Sequence, residues 1–440
     1  MNVFAFFSGG APNPAVPLNA NLSSRDSRAR VCAIACVVAI ATVLAGCQTM
    51  KPMAKAAPPP PPPPPQMMAM APPPAPPPPS RMEQPNFYRL RNSPSGVVPA
   101  RVTLLLPLSG GTAETRSVAQ ALEKAAEMAV FDSKSSDILL MPRDDGGTPE
   151  KAAAAAAKAI EDGAEIIIGP LFAGSVTAVA PVARAAHVPV IALSSDRSVG
   201  GNGVYLLSFQ PETEVNRIIS YAARTGHSSF AAMIPKTAYG DKVQAAFRDS
   251  VMRAGGKITE IENFDERPQV VGPPAKAAAA SGADAILIAE GGAMLQAIGP
   301  ALALNGATNR SLQFLGTGLW DDPSIAREPA LANGRFAAPA PESFRSFTAH
   351  YRDVYEAPPP RIATLAYDAI SLVALLARGR PYQRFTDAAL VDPKGFSGVD
   401  GIFRFRTDGS AERGLAILEV TQGGFSVVDP APKSFPQPGF

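Results

Sequence analysis

Cysteine is nearly absent from this 440-residue chain: Cys32, Cys36 and Cys47 are the only three, so nothing beyond residue 47 can form a disulfide, a zinc ribbon or a thiolate nucleophile. Histidine is equally scarce. His187, His227 and His350 lie far apart, which argues against zinc, and Asp144-Asp145-Gly146-Gly147 lacks the further acidic ligands of a calcium loop; no metal or cofactor is expected. Charge of one sign is missing too. Residues 1–46 hold Arg25, Arg28 and Arg30 against Asp26, leaving 37 basic and 37 acidic groups after them, a balance without a basic stripe that excludes nucleic acid as a partner. No G-x-S-x-G elbow occurs, and Ser194, Ser195, Asp196 and His187 do not make a triad pattern, since His187 precedes a strand at a turn position. The expectation is a protein that is not an enzyme.

What is present begins with a leader. Three arginines precede a small-apolar run from Val31 to Ala45, shorter than the ~20 residues of a membrane helix, and the run closes in Leu44-Ala45-Gly46-Cys47. This resembles a bacterial lipobox, which implies a signal peptide over 1–46, lipidation of Cys47, and anchoring of the chain to a membrane by several acyl chains. Gln48 after the cysteine implies the periplasmic face of the outer membrane, with the inner membrane as the less favoured address. The long stretch before Arg25 predicts a translation start downstream of Met1. Residues 47–99 then form a proline-rich linker in which Pro58 to Pro65 and Pro72 to Pro79 predict polyproline II, with a reach of up to ~150 Å at ~3.1 Å per residue.

From about Arg101 the pattern changes to short apolar runs alternating with helical spacing. Ile166-Ile167-Ile168 and Val188 to Leu193 lack in/out alternation and read as strands buried on both faces, joined by a helix with Val176, Val179 and Ala183 inward. Pro181 predicts a kink or a late start in that helix. The same unit recurs before and after it. Helices are expected at 112–131, 149–162, 211–225, 239–254, 273–281, 293–304, 343–356 and 362–377. Segments 403–406, 415–420 and 425–428 read as antiparallel strands joined by glycine turns. The chain is thus α/β, with parallel sheets flanked by helices in two lobes about a cleft. The body spans 100–430, the first lobe about 101–208 plus 340–378 and the second about 209–339 plus 380–430, with a tail at 431–440. Ligands of open α/β sheets sit beyond the carboxyl ends of the strands, so post-strand loops line the cleft.

Eight ordered pieces carry a resemblance: LLLPLSG (104–110), DDGGTPEKA (144–152), IIIGPL (166–171), VPVIALSS (188–195), YGDKV (239–243), LGTGLW (315–320), LAYDAI (365–370) and FSGVDGIFRF (396–405). Together they resemble the type I periplasmic binding proteins of the leucine/isoleucine/valine-receptor kind. With the lipobox, the stem and SSDRSVGGNGVYLLSF, the chain looks like the penicillin-binding-protein activator lipoproteins, though the stem stands where the best-known activators carry a helical-repeat domain. The resemblance implies a non-enzymatic outer-membrane lipoprotein that binds and activates a peptidoglycan synthase, a bifunctional penicillin-binding protein, from the periplasm. The alternative is a lipid-anchored solute-binding receptor of an ABC transporter for amino acids, amides or related small molecules. A scaffold that only anchors the wall is a third reading.

Candidate cleft residues follow from the same placement: Ser109, Ser175, Ser194, Ser195, Tyr239, Glu290 and Trp320. In amino-acid receptors of this fold the loop after the third strand offers serines to the ligand carboxylate, whereas here it reads Gly169-Pro-Leu-Phe-Ala-Gly-Ser175, with Ser175 placed to cap a helix. In the next loop Asp196 repels a carboxylate unless Arg197 compensates it. Tyr239 matches the receptor tyrosine, and Trp320 stands either as a stacking platform or as a buried side chain. These loops predict eroded recognition of free amino acids and a cleft that holds a different small molecule or none.

Overall fold

The computed structural model describes residues 87–90 and 98–436, all within one compact unit. The leader, Cys47 and the proline runs lie outside those residues. The first lobe is built on a parallel sheet of β1 (Ala100–Leu106), β2 (Ile138–Asp144), β3 (Ile166–Ile168), β4 (Val190–Ala192) and β5 (Val204–Leu206), in the order β2-β1-β3-β4-β5. The isoleucines of β3 are fully buried because helices cover both faces: α1 (Ala113–Asp132) on one side, α2 (Pro149–Glu161) and α3 (Ala173–Ala185) on the other. Thr112 and Thr148 start α1 and α2 by accepting from the N–H groups of Thr115 and Lys151. α3 begins at Ala173 and continues through Pro181, so the expected late start does not occur.

The second lobe repeats the alternation. α4 (Pro211–Arg224), β6 (Ser229–Pro235), α5 (Ala238–Arg253), β7 (Lys257–Phe264), α6 (Gly272–Ala279), β8 (Ala285–Ile288), α7 (Gly292–Leu304), β9 (Gln313–Gly316) and β10 (Arg335–Ala338) follow in order. β10 is a central strand that the periodicity did not reveal, because RFAA is only four residues long and runs straight into Pro339. The chain then returns to the first lobe for α8 (Pro341–Tyr355) and α9 (Ala363–Leu376), where Phe347 and Tyr351 of α8 pack with Ala125 and Met128 of α1.

The C-terminal part divides differently from the expectation. α10 (Asp387–Leu390) and the antiparallel sheet β11 (Phe396–Gly398), β12 (Gly401–Phe405) and β13 (Ala411–Arg413) belong to the first lobe, because Leu390, Phe396, Phe403, Phe405 and Ala411 enter its core. Only β14 (Ala416–Thr421) and β15 (Gly424–Asp429) join the second sheet, whose order is β15-β14-β10-β9-β8-β6-β7. The Thr407-Asp408-Gly409 turn therefore closes a β12–β13 hairpin, not one between β12 and β14. That hairpin also covers the edge of the first sheet: the Leu206 N–H donates to the Gly409 carbonyl at 2.8 Å. At the other edge Tyr88, within the stretch read as linker, exchanges backbone hydrogen bonds with Leu140 of β2 at 2.9 and 3.1 Å.

Candidate functional site

The carboxyl ends of both sets of strands meet around a small cavity lined by Ser195, Ser208, Phe209, Glu214, Tyr239 and Ile362, among others. Its volume is about 30 Å³, room for roughly two water molecules and far below the ~300 Å³ at which small-ligand sites begin. Ser195 and Tyr239 are thus brought together from opposite lobes. Tyr239 follows β6 in the first turn of α5, where Thr237 caps the helix, and its hydroxyl shares a 2.8 Å hydrogen bond with Thr317 Oγ1. Burial, with Glu214 and Glu290 adding, pushes the phenol well above its ordinary value, so it stays protonated.

The other expected residues lie elsewhere. Ser194 is buried beside Ser195 and accepts from the Asp196 N–H at 3.2 Å. Ser109 donates through both N–H and Oγ to Asp144 and so ties the loop after β1 to the end of β2. Ser175 does not cap α3: Phe172 holds that position, and Ser175 lies in the first turn, 1% exposed and without a hydrogen-bond partner. Trp320 is fully buried in the second-lobe core, donates Nε1–H to the Ile288 carbonyl at 3.2 Å and packs against Phe336, so it is no platform for a ligand. Glu290 is 4% exposed. One of its oxygens accepts from the Gly291 N–H while the other is unpartnered, and burial raises its carboxyl to about 7.

Asp196 is compensated, though not by Arg197. Lys242 of α5 reaches it across the cleft mouth at 3.3 Å, while Arg197 turns to Asp408 at 3.5 Å. Glu214, at the start of α4, accepts from the Gly318 N–H at 2.9 Å, and burial raises its carboxyl to about 7. His187 precedes β4 whereas Ser194 to Asp196 follow it, so the strand itself keeps the histidine away from the serines and the aspartate. Among the described residues no three His, Cys, Asp or Glu side chains gather as a metal site.

A charged cluster that the sequence reading missed lies behind the cavity, where the chain passes between lobes. Arg361, just before α9, donates to Asp321 of the second lobe at 3.1 Å and pairs with Asp400 of the first at 2.6 Å. Thr364 completes Asp400 with a 2.6 Å hydrogen bond. Phe209 of the first crossing lies against two guanidinium groups, Arg361 at 4.9 Å and Arg413 at 5.1 Å from its ring centre. Asp368 of α9 accepts from the Val399 N–H at 2.7 Å, and burial together with the Asp400 charge pushes its carboxyl up. A signal existed: Asp368 interrupts an otherwise apolar helix, ATLAYDAISLVALL. An acid fully buried in such a run needs a partner.

Two parallel-sheet lobes joined by repeated crossings, with post-strand loops facing one another, define the type I periplasmic binding-protein fold. The family model for periplasmic binding proteins matches residues 99–424, and the chain belongs to that family. Family membership implies the periplasm as its compartment, and the fold is typically that of non-enzymatic binding proteins. Among solved structures, a putative branched-chain amino acid ABC transporter protein from Rhodospirillum rubrum superposes with a TM-score of 0.67 at 19% identity, covering 75% of this chain and all of that one. Among curated proteins, the penicillin-binding protein activator LpoA of Photobacterium profundum is 26% identical over 171 residues, 38% of this chain and 27% of that protein. An uncharacterized protein of Rickettsia prowazekii is 21% identical over 127 residues, 29% of this chain and 34% of its own length. The chain therefore spans about a third or less of the curated relatives it matches.

Proposed function

We propose that this protein is a lipid-anchored periplasmic head that binds and activates a peptidoglycan synthase, a bifunctional penicillin-binding protein, from the outer membrane. The observation that carries the reading is the pocket beyond the strand ends, where a solute would sit: it holds only about 30 Å³ and is lined from both lobes by protein groups, while the larger hollow of about 960 Å³ lies outside it, among Arg197, Arg217, Lys242, Arg413 and the C-terminal segment. The stretch similar to a penicillin-binding protein activator supports the same conclusion. Activation requires that the head bind the active state of the synthase more tightly than the inactive one, since equal affinity shifts no equilibrium. The test is reconstitution: the purified full-length protein is added to a bifunctional synthase of the same bacterium, and glycan polymerisation and cross-linking are timed. Faster synthesis at saturating protein is the expected result; unchanged rates with no detectable binding contradict it.

A second reading, a solute receptor, is favoured by one feature. The second-lobe wall around Tyr239 carries Glu212, Glu214 and Glu290, and unpartnered buried oxygens on Glu212 and Glu290 suit an amine-bearing ligand. A ligand at a hundred times its dissociation constant adds ~2.7 kcal/mol to the stability of the bound form, so a melting screen with amines, amides and amino acids separates the two readings.

A further inference from the structure

The segment after β15, read from sequence as a tail, makes an additional passage between the lobes. Ala431 packs against the second-lobe core. Four residues on, Phe435 is 5% exposed on the first-lobe sheet: its ring lies against Gly395, and the Arg404 guanidinium sits 4.5 Å from its ring centre. Arg404 also donates to the Pro436 carbonyl at 3.3 Å, while Glu412 holds the same guanidinium at 2.9 Å from β13. Pro432 fills the space beside Gly414, at the neighbouring crossing. A four-residue span reaches at most about 14 Å, so the two anchors cannot separate further without releasing one of them.

We propose that residues 431–436 are a built-in strap that holds the two lobes together without a bound solute, with Phe435 as its anchor on the first lobe and Arg404 as the group that fixes the anchor. The other ties point the same way. Arg361 links Asp321 of the second lobe to Asp400 of the first behind the cavity, and Lys242 meets Asp196 at the mouth. In a ligand-gated head the solute supplies the contacts that favour the closed state. Here chain-borne contacts supply them, so closure is a property of the unliganded protein. The inference goes beyond the synthase reading and does not depend on which partner the head contacts.

Hydrogen–deuterium exchange on the full-length protein tests it. Two variants are compared with the parent: Phe435→Ala, and an insertion of six Gly/Ser residues between the exposed Lys433 and Ser434, which slackens the strap and leaves both anchors in place. The expected result in both is exchange on the order of tenfold faster in the cleft-facing segments 194–199, 239–243 and 316–320, with β1 and β8 unchanged. Cleft segments exchanging at the parental rate in the insertion variant, whatever Phe435→Ala does to the local sheet around 395–405, overturn the proposal. A synthase assay that fails while the strap variants open leaves the strap standing and removes only the partner.

Discussion

The lobes of this protein are tied by charge at two places, the hinge and the cleft mouth, and the two ties differ mainly in burial. At the hinge Arg361 is surrounded by Asp321, Asp400, Phe209 and Phe344, and Asp400 is fully buried. Burial alone lowers the pKa of Arg361, but Asp400 and Asp321 outweigh it and keep the guanidinium charged. At the mouth, Lys242 and Asp196 are each about one-third exposed, 31% and 32%. Water and salt screen the mouth pair, whereas the hinge charges, with Arg361 12% and Asp321 18% exposed and Asp400 fully buried, are answered mainly by one another. The hinge is therefore where a substitution does damage, and the mouth is where the lobes can part at little cost.

Arg361→Ala is the sharpest way to break that contrast. It removes the cation that joins the fully buried Asp400 to the partly buried Asp321 and should lower stability by ~3–5 kcal/mol, read as a lower urea midpoint. A loss under ~1 kcal/mol would mean that the hinge charges are solvated after all.

Glu214 comes next, a buried acid near the same crossing whose nearest donor is a backbone N–H. Its carboxyl is raised from the ordinary 4.5 to about 7, so between those values the unfolded chain releases this proton while the folded one keeps it. The stability cost of Glu214 is thus absent below about 4.5, grows as pH rises, and is complete above about 7. Glu214→Gln should be ~2 kcal/mol more stable than the parent at about pH 8 and indistinguishable from it at about pH 4, measured by urea unfolding across pH. Equal stability at both pH values would remove Glu214 from the set of strained groups.

Packing supplies a third test. A methyl at Gly398 would collide with the Asp368 carboxylate, so Gly398→Ala should cost ~1–3 kcal/mol although it creates no charge. The smallest effect belongs to the mouth. In a double-mutant cycle of Lys242→Met and Asp196→Ala the coupling should be ~0.2–1 kcal/mol and should shrink in about 0.5 M salt, where the Debye length falls to ~4 Å. Coupling that is large and insensitive to salt would erase the contrast between the two ties.

Much of this arrangement was legible in the sequence. Ile166-Ile167-Ile168 and Val190 to Ala192 read as strands covered on both faces, and the resulting alternation places the post-strand loops, so Ser195 and Tyr239 could be expected near one another at the strand ends, where both line the small cavity. What was not legible depends on contacts between distant segments. Phe209, Arg361 and Arg413 are separated by more than a hundred and fifty residues from first to second, and no local period marks them as neighbours. The departure of β14 from β13 hides for a similar reason: the Gly414-Leu415 link between them looks like any strand junction, yet it carries the chain from one lobe to the other. Trp320 follows a glycine turn at the end of β9, a position shared by ligand platforms and core anchors; the space left by Gly316 and Gly334 decides for the core.

The central claim, that the head works by docking on a synthase and not by capturing a solute, is tested most directly by in-cell crosslinking of the intact protein, followed by purification and mass spectrometry of what is attached. The account predicts a bifunctional penicillin-binding protein among the specific partners. Specific recovery of an ABC permease, with no synthase, would contradict it.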